Sequence, residues 1–269
     1  MILDFYNPEI SNGILTELFH LSFSKEDIPF ESTVLPIGCM AITNIYVKDT
    51  QKIIFKNKET ALNGMIVTGQ FSKSYKFLVN DVSQSYGINL HPSAFHKITE
   101  LDVSKLRNRH RQLQTVSQKL YNQLQPIFTT YETDIPKLTE AVKQLFSNFK
   151  LTTNYVIEQI DHCLKIIEEK EGLLNAYDLL DHVTFSQKTL ETQFKKIVGV
   201  TPGKYIRHYR FIKLMRDYES KGTDLKDLIH IHSYYDHSHF SKDFKYFMNQ
   251  LPKTYFKSDN AFLNEYLNK

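Results

Sequence analysis

The sequence predicts an α+β chain. A β-rich N-terminal domain is expected over residues 1–103, a helical connector over 104–170, an all-α domain with two helix-turn-helix units joined by a long helix over 171–257, and a tail over 258–269. Three observations carry this reading. Short apolar runs broken by Gly and Pro fill the first hundred residues, leucines recur at helical spacing through the middle, and the last hundred residues repeat one amphipathic pattern at a fixed offset.

The β-like runs are STVLPIGCMAITNIYV (32–47), QKIIF (51–55), GMIVTGQF (64–71), SYKFLV (74–79) and SQSYGINLHPSAF (83–95). Gly38, Gly64, Gly69 and Gly87, with Pro36 and Pro92, punctuate them at intervals typical of a sandwich or barrel. In the connector, Leu106, Leu113, Leu120 and Leu124 form one stripe. Leu138, Val142, Leu145 and Phe149 form a second, and Val156, Ile160, Leu164 and Ile167 a third, with Pro126 and Pro136 read as breaks between helices. Packing on the β domain is the first reading of the leucine stripe, and a homodimer contact the second.

A chain of 269 residues with 41% hydrophobic and 13% aromatic residues can bury a sizeable core. It has no apolar run near membrane-spanning length, and its start, MILDFYNPEI, lacks the basic-then-apolar pattern of an export signal. A cytoplasmic protein with no membrane partner is expected. Cys39 and Cys163 lie far apart in different kinds of segment, which suits reduced, buried thiols. The formal charge of +3 is uneven: −2 over residues 1–100, +2 over 101–170, and +4 with six histidines over 171–257. That excess hints at a polyanion partner, although a solvated surface explains it equally well. With no P-loop, Gly-rich dinucleotide loop or nucleophile–base arrangement, no enzyme and no cofactor are expected.

The most informative feature is the repeat. SQKTLETQFKKIVGVTPGKY from Ser186 and DHSHFSKDFKYFMNQLPKTY from Asp236 align at an offset of fifty throughout. Ser186 pairs with Asp236 as N-cap residues, Leu190 with Phe240, Phe194 with Phe244, Pro202 with Pro252 and Tyr205 with Tyr255. Each amphipathic copy follows a shorter helical stretch, LLNAYDLLDHV or TDLKDLIHIHS, so a helix-turn-helix occurs twice. Between them, TPGKYIRHYRFIKLMRDYESKG reads as a connecting helix of about fifteen residues, about 22 Å long, ending near Gly222.

In such units the second helix enters the major groove and its N-terminal, outward side chains meet base edges. Those positions are Gln187, Lys188, Glu191 and Thr192 in the first copy, and His237, Ser238, Ser241 and Lys242 in the second. Ser186, Lys195, Lys196, Lys204, Arg207, Arg210 and Lys245 are assigned to phosphates. Any one of these side chains is explained as well by a solvated helix face. As a duplicated unit with matching polar faces, they point to double-stranded DNA.

Residues 173–257 resemble the DNA-binding domain of AraC/XylS-type transcription regulators, carried by FSQKTLETQFKKIVGVTPGKYIRHYR and YYDHSHFSKDFKYFMNQLPKTYF. The resemblance implies a one-component regulator whose base-contacting positions fall on Lys188, Glu191 and Thr192, and on His237, Ser238, Ser241 and Lys242. It also makes RNA polymerase a partner to expect. The second unit departs from the pattern: Ile229 stands where the family usually has Ala, Ser233-Tyr234 where it has Gly-Phe, Asn249 where it has Gly, and Phe256 where it has Arg. Asn tolerates left-handed backbone, whereas Ser233 is less comfortable if its turn needs a positive φ.

The four histidines of HIHSYYDHSHF (230–240) raise a metal site as a minority reading. His230 and His232, like His237 and His239, are two apart and diverge on a helix, so helix roles are preferred. The N-terminal region resembles a cupin-like sensor domain through LPIGCMAITNI (35–45), GMIVTGQF (64–71) and YGINLHPSAF (86–95). This implies a small-molecule or protein effector there. His91 and His96 lack the spacing and acidic partner of a cupin metal site, so His91 is read as structural or pocket-lining, and no metal is expected. Two rivals are an interaction protein with a degenerate DNA-binding domain and a cupin-type metalloenzyme.

Overall fold

The computed structural model describes residues 1–8, 13–48, 50–221, 223–258 and 260–267. In chain order the strands are β1 (Ile2–Tyr6), β2 (Leu15–Phe23), β3 (Phe30–Val34), β4 (Met40–Val47), β5 (Gln51–Phe55), β6 (Lys58–Leu62), β7 (Gly64–Thr68), β8 (Tyr75–Val79), β9 (Ser83–Leu90) and β10 (His110–Gln112). The helices are α1 (Ala94–Thr99), α2 (Leu113–Val116), α3 (Gln118–Thr130), α4 (Ile135–Ser147), α5 (Tyr155–Glu169), α6 (Gln187–Val198), α7 (Pro202–Lys221), α8 (Leu225–Ile231), α9 (His237–Met248), α10 (Pro252–Tyr255) and α11 (Ala261–Leu267). The chain is therefore α+β, with β structure first and helices after.

The strands make two antiparallel sheets, ordered β1-β2-β9-β4-β7-β10 and β3-β8-β5-β6. Side chains alternate across a strand, so β9 sends Tyr86, Ile88 and Leu90 to one face and Ser85 and Asn89 to the other. The first face is covered by helices: Met40, Ile42, Val67 and Tyr86 share a core with Leu113, Leu120, Leu124, Phe128, Leu138 and Phe146. The second face meets the four-stranded sheet through Leu21, Phe23, Ile45, Ile66, Ile53 and Phe77. Gly87 is no turn residue. It lies inside β9, opposite Phe19, whose ring occupies the space a Cβ would need.

Two further cores belong to the helical end. Ile160, Cys163, Leu164 and Ile167 of α5 pack with Leu190 and Phe194 of α6 and with Tyr205 and Ile206 at the start of α7. Phe211, Leu214 and Met215, further along α7, pack with α8, α9, α10 and α11. One helix thus contributes to both units. It runs for 20 residues, about 30 Å, rather than the expected fifteen, and Gly222 lies outside the described residues.

The connector is divided between neighbours instead of forming a layer of its own. Leu106, Leu113, Leu120 and Leu124 are spent on the β domain, β10 joins its sheet beside β7, and α5 belongs to the first helical unit. Three residues of β10 are too few to show a strand period in sequence. Pro136 opens α4 as expected, but Pro126 lies inside α3, where burial of Leu124 and Phe128 offsets its cost to the helix. LLNAYDLLDHV yields only a 3-10 turn over Asp178–His182, with the Asn175 N–H donating to Asp178 at 2.9 Å in place of a regular helix start. Cys39 and Cys163 share no disulfide, and burial pushes the Cys163 thiol up to about 11.

Candidate nucleic-acid interface

The two repeated helices start and stop alike. The Ser186 hydroxyl accepts the Thr189 N–H at 3.3 Å, and Asp236 accepts the His239 N–H at 2.7 Å. At the other end, Gly199 takes φ +100° and Asn249 φ +56°, the same left-handed cap fifty residues apart. Asn249 therefore replaces glycine without altering the fold. Ser233 also has positive φ, +55°, so the strain expected of it is present. Phe256 packs on Tyr218 and Phe244, with ring centroids 4.6 and 5.5 Å away.

On α6 the buried stripe is Leu190, Phe194, Ile197 and Val198. Opposite it, Gln187, Glu191 and Lys195 form one exposed row and Lys188, Thr192 and Lys196 the next. Gln187 donates to Glu191 at 3.1 Å, and the Thr192 hydroxyl donates to the Lys188 carbonyl at 2.8 Å. The first unit thus presents an ordered polar surface with two lysines toward its C-terminal end. On α9 the matching rows are His237, Ser241 and Lys245, then Ser238, Lys242 and Tyr246. His237 and Ser241 are 3.2 Å apart, repeating the contact between Gln187 and Glu191. His237, Ser238, Lys242 and Lys245 are exposed, while Ser241 is half-buried.

The residues assigned to phosphates divide into two groups. Lys195, Lys196, Lys204 and Lys245 are exposed, and Ser186 is exposed while serving as a cap. Arg207 is part-exposed but already engaged: its Nε donates to Asp243 at 3.0 Å and its guanidinium lies 4.6 Å from the Tyr246 ring centre. That hydrogen bond raises the Arg207 pKa further. Arg210 lies against Tyr234, at 5.8 Å. Sequence reasoning missed Asp243, a buried carboxylate that also accepts from the Tyr234 hydroxyl at 3.3 Å. An acidic residue on the apolar side of an amphipathic helix was the available signal.

The histidines of 230–240 point to separate partners. His232 is buried 3.0 Å from Asp217, and burial lowers its pKa despite that carboxylate. His239 meets the Tyr234 ring, and His230 is exposed. Among the described residues no three of His, Cys, Asp and Glu gather where a metal ion could be held.

Both units dock on the β domain. The Ser74 N–H donates to the Phe247 carbonyl at 2.6 Å, and Asn249 Nδ2 donates to the Ser74 carbonyl at 2.9 Å. Lys73 lies over the Tyr246 ring at 4.7 Å. On the first unit, Asp161 of α5 accepts from Ser93 and pairs with Lys97 at 2.8 Å. His91 completes that clamp, 3.0 Å from Ser93, with its pKa lowered by burial.

Comparison with known proteins adds sequence relations to this geometry. Residues 179–258 match a family described as a helix-turn-helix domain, and residues 15–112 match a domain of unknown function. The chain is 23% identical over 154 residues to the transcriptional activator RhaS of Pectobacterium atrosepticum, covering 51% of this chain and 53% of that protein. It is 26% identical over 89 residues to the activator AarP of Providencia stuartii, covering 33% and 66%. The chain thus spans about half the length of the RhaS relative. Apo ToxT from Vibrio cholerae superposes with a TM-score of 0.49 at 14% identity, over 89% of this chain and 96% of that one.

Proposed function

We propose, from the premise that residues 179–258 are a helix-turn-helix domain of the AraC/XylS type, that the chain is a one-component transcription regulator that reads two successive major-groove segments of double-stranded DNA. One observation carries the reading. Two helices expose polar rows at the same positions, fifty residues apart, and share one connecting helix of about 30 Å, close to a turn of B-DNA. In this reading Gln187, Lys188, Glu191 and Thr192, with His237, Ser238, Ser241 and Lys242, meet base edges. Lys195, Lys196, Lys204 and Lys245 hold phosphates, joined by Ser186. Arg207 is left out because Asp243 and Tyr246 already hold it. Arg210 contributes only if it leaves Tyr234.

Regulation is assigned to the docked state. The second unit is tied to the β domain through Asn249 and Ser74, so an effector of the β domain that prefers the undocked arrangement shifts the chain toward reading with both units. At the two turn positions the departures of the second unit do not favour the degenerate-domain rival, because Ser233 and Asn249 keep left-handed backbone, while Phe256 exchanges a cation for packing on Tyr218. A homodimer and contact with RNA polymerase belong to the same proposal as partners of the DNA-bound form. The test is anisotropy with DNA fragments selected by the full chain, at several salt concentrations. The reading expects affinity to fall steeply with salt and scrambled DNA to bind at least about 10³-fold more weakly at physiological salt. Equal affinity for selected and scrambled DNA would overturn it.

A further inference from the structure

Between the two sheets of the β domain lies a cavity of about 130 Å³. Its walls are mostly apolar, with Leu21, Ile53, Ile66 and Phe77 among them, and its polar lining groups, which include Thr43, Gln51, Thr68, Ser85, Asn89 and His110, are of uncharged or weakly basic types. Among the described residues, no Asp, Glu, Lys or Arg lines it, and the Asn89 amide is held by the Glu17 carboxylate at 2.8 Å. Burial pushes His110 down to about 4, so its ring is neutral near pH 7. One ring nitrogen lies 2.9 Å from the Thr68 hydroxyl, and Nε2 has no partner among the described residues. An ionised ligand would lose its hydration here with no opposite charge to compensate. An uncharged molecule with a single hydrogen-bonding end would meet His110 Nε2, which has no partner among the described residues, whereas the Gln51 and Asn89 amide nitrogens are already bonded to Ser83, Ser85 and Glu17.

One wall of the cavity is formed by α11, which lies in the segment expected to be a tail. The helix carries two apolar pairs, each four residues apart. Phe262, 8% exposed, and Tyr266, half-buried, line the cavity; Phe262 stands edge-on to Phe30 at 5.5 Å and Tyr266 is tilted on Phe5 at 6.4 Å. Leu263 and Leu267 lie instead in the core of the second helix-turn-helix unit. Asn264, with its amide oriented to donate, reaches Glu219 of α7 at 3.2 Å. Seven residues are too few for a helix to persist alone in water, so these contacts hold it in place.

We propose that α11 is a built-in competitor for this cavity: an uncharged, largely apolar small molecule with one hydrogen-bonding end takes the space of Phe262 and Tyr266 and drives the helix off the β domain. Because Leu263 and Leu267 belong to the second unit, displacement disturbs the docking that Asn249 and Ser74 maintain. That last link, from cavity to DNA, rests on the regulator reading above.

The experiment uses the full chain, the uncharged fluorescent probe N-phenyl-1-naphthylamine, its anionic counterpart 8-anilinonaphthalene-1-sulfonate, and hydrogen exchange over residues 261–267. Saturating uncharged probe is expected to speed exchange of these amides about tenfold or more, since it competes with their docked state. The double variant Phe262→Ala/Tyr266→Ala is expected to bind that probe about tenfold tighter, and Thr43→Leu, which fills the cavity wall away from the helix, about tenfold more weakly. Unchanged exchange in the parent, or equal probe affinity in parent and double variant, would overturn the proposal. Tighter binding of the anionic probe would overturn the ligand class. If the double variant does not fold, the exchange measurement on the parent decides alone. DNA affinity is measured separately on the same samples, so loss of the regulator reading leaves the probe result standing, and the converse also holds.

Discussion

The side chains that matter separate by whether the fold has already engaged them. Lys188 projects from an exposed row in the first turn of α6 and Lys242 from an exposed row in the middle of α9, so replacing either by Ala is expected to cost about 1–3 kcal/mol for the selected DNA and to relax preference at one or two base pairs. Lys195→Ala is expected to weaken all sequences alike and to lower the slope of log affinity against log salt by about 1. Salt titrations on selected and scrambled DNA separate the two classes. Asp243 is different, being buried and bonded to both Arg207 and Tyr234. Asp243→Ala should lower stability by about 1–3 kcal/mol in denaturant unfolding, with the lower end favoured because Arg207 is part-exposed and can hydrate.

At the scale of elements, the duplicated helices were legible because their signal is redundant: cap, apolar stripe and closing residue recur together at one offset. The β domain was legible only in part: β4, β5, β7, β8 and β9 fall within the apolar runs, whereas β1, β2 and β6 lie outside them, and the sheets were hidden because pairing between β2 and β9 or β4 and β9 joins residues far apart in sequence. Pro126 was misread because tertiary burial outweighed local helix cost, and Asp178–His182 because apolar spacing cannot distinguish a 3-10 turn from a short helix. The docking contacts through Ser74 had no local signal. The cavity left a faint one, in the alternation of Ser85, Gly87 and Asn89 with Tyr86, Ile88 and Leu90. The turn between α8 and α9 gives an element-level prediction. Ser233 holds φ +55° with a Cβ, so Ser233→Gly is expected to stabilise the chain by about 0.5–1 kcal/mol in thermal or denaturant unfolding, the relief of strain exceeding the entropy of the added glycine.

For the whole molecule, the β domain and the helical units meet over buried, titratable groups. His208 of α7 is stacked on Phe247 and lies beside Gly38 of the β domain, with burial pushing its pKa down to about 4 from an ordinary 6.5. The unfolded chain takes up this proton near pH 6.5 and the folded chain only near 4. Stability is therefore complete above 6.5 and falls as pH drops through that window, by up to about 1.4 kcal/mol per pH unit for this one group. His110 adds the same trend from inside the β domain. A His208→Leu variant should show a shallower loss of melting temperature between pH 6.5 and 4 than the parent, and an identical pH profile would sink the assignment.

The central claim is that both helix-turn-helix units read DNA. The measurement that bears on it most directly is a hydroxyl-radical footprint of the full chain on its selected fragment. Two protected stretches on one face of the duplex, centred about one helical turn apart and each lost selectively in Lys188→Ala or Lys242→Ala, are what the account predicts. A single protected stretch insensitive to Lys242→Ala would contradict it, leaving the second unit as a brace on the β domain.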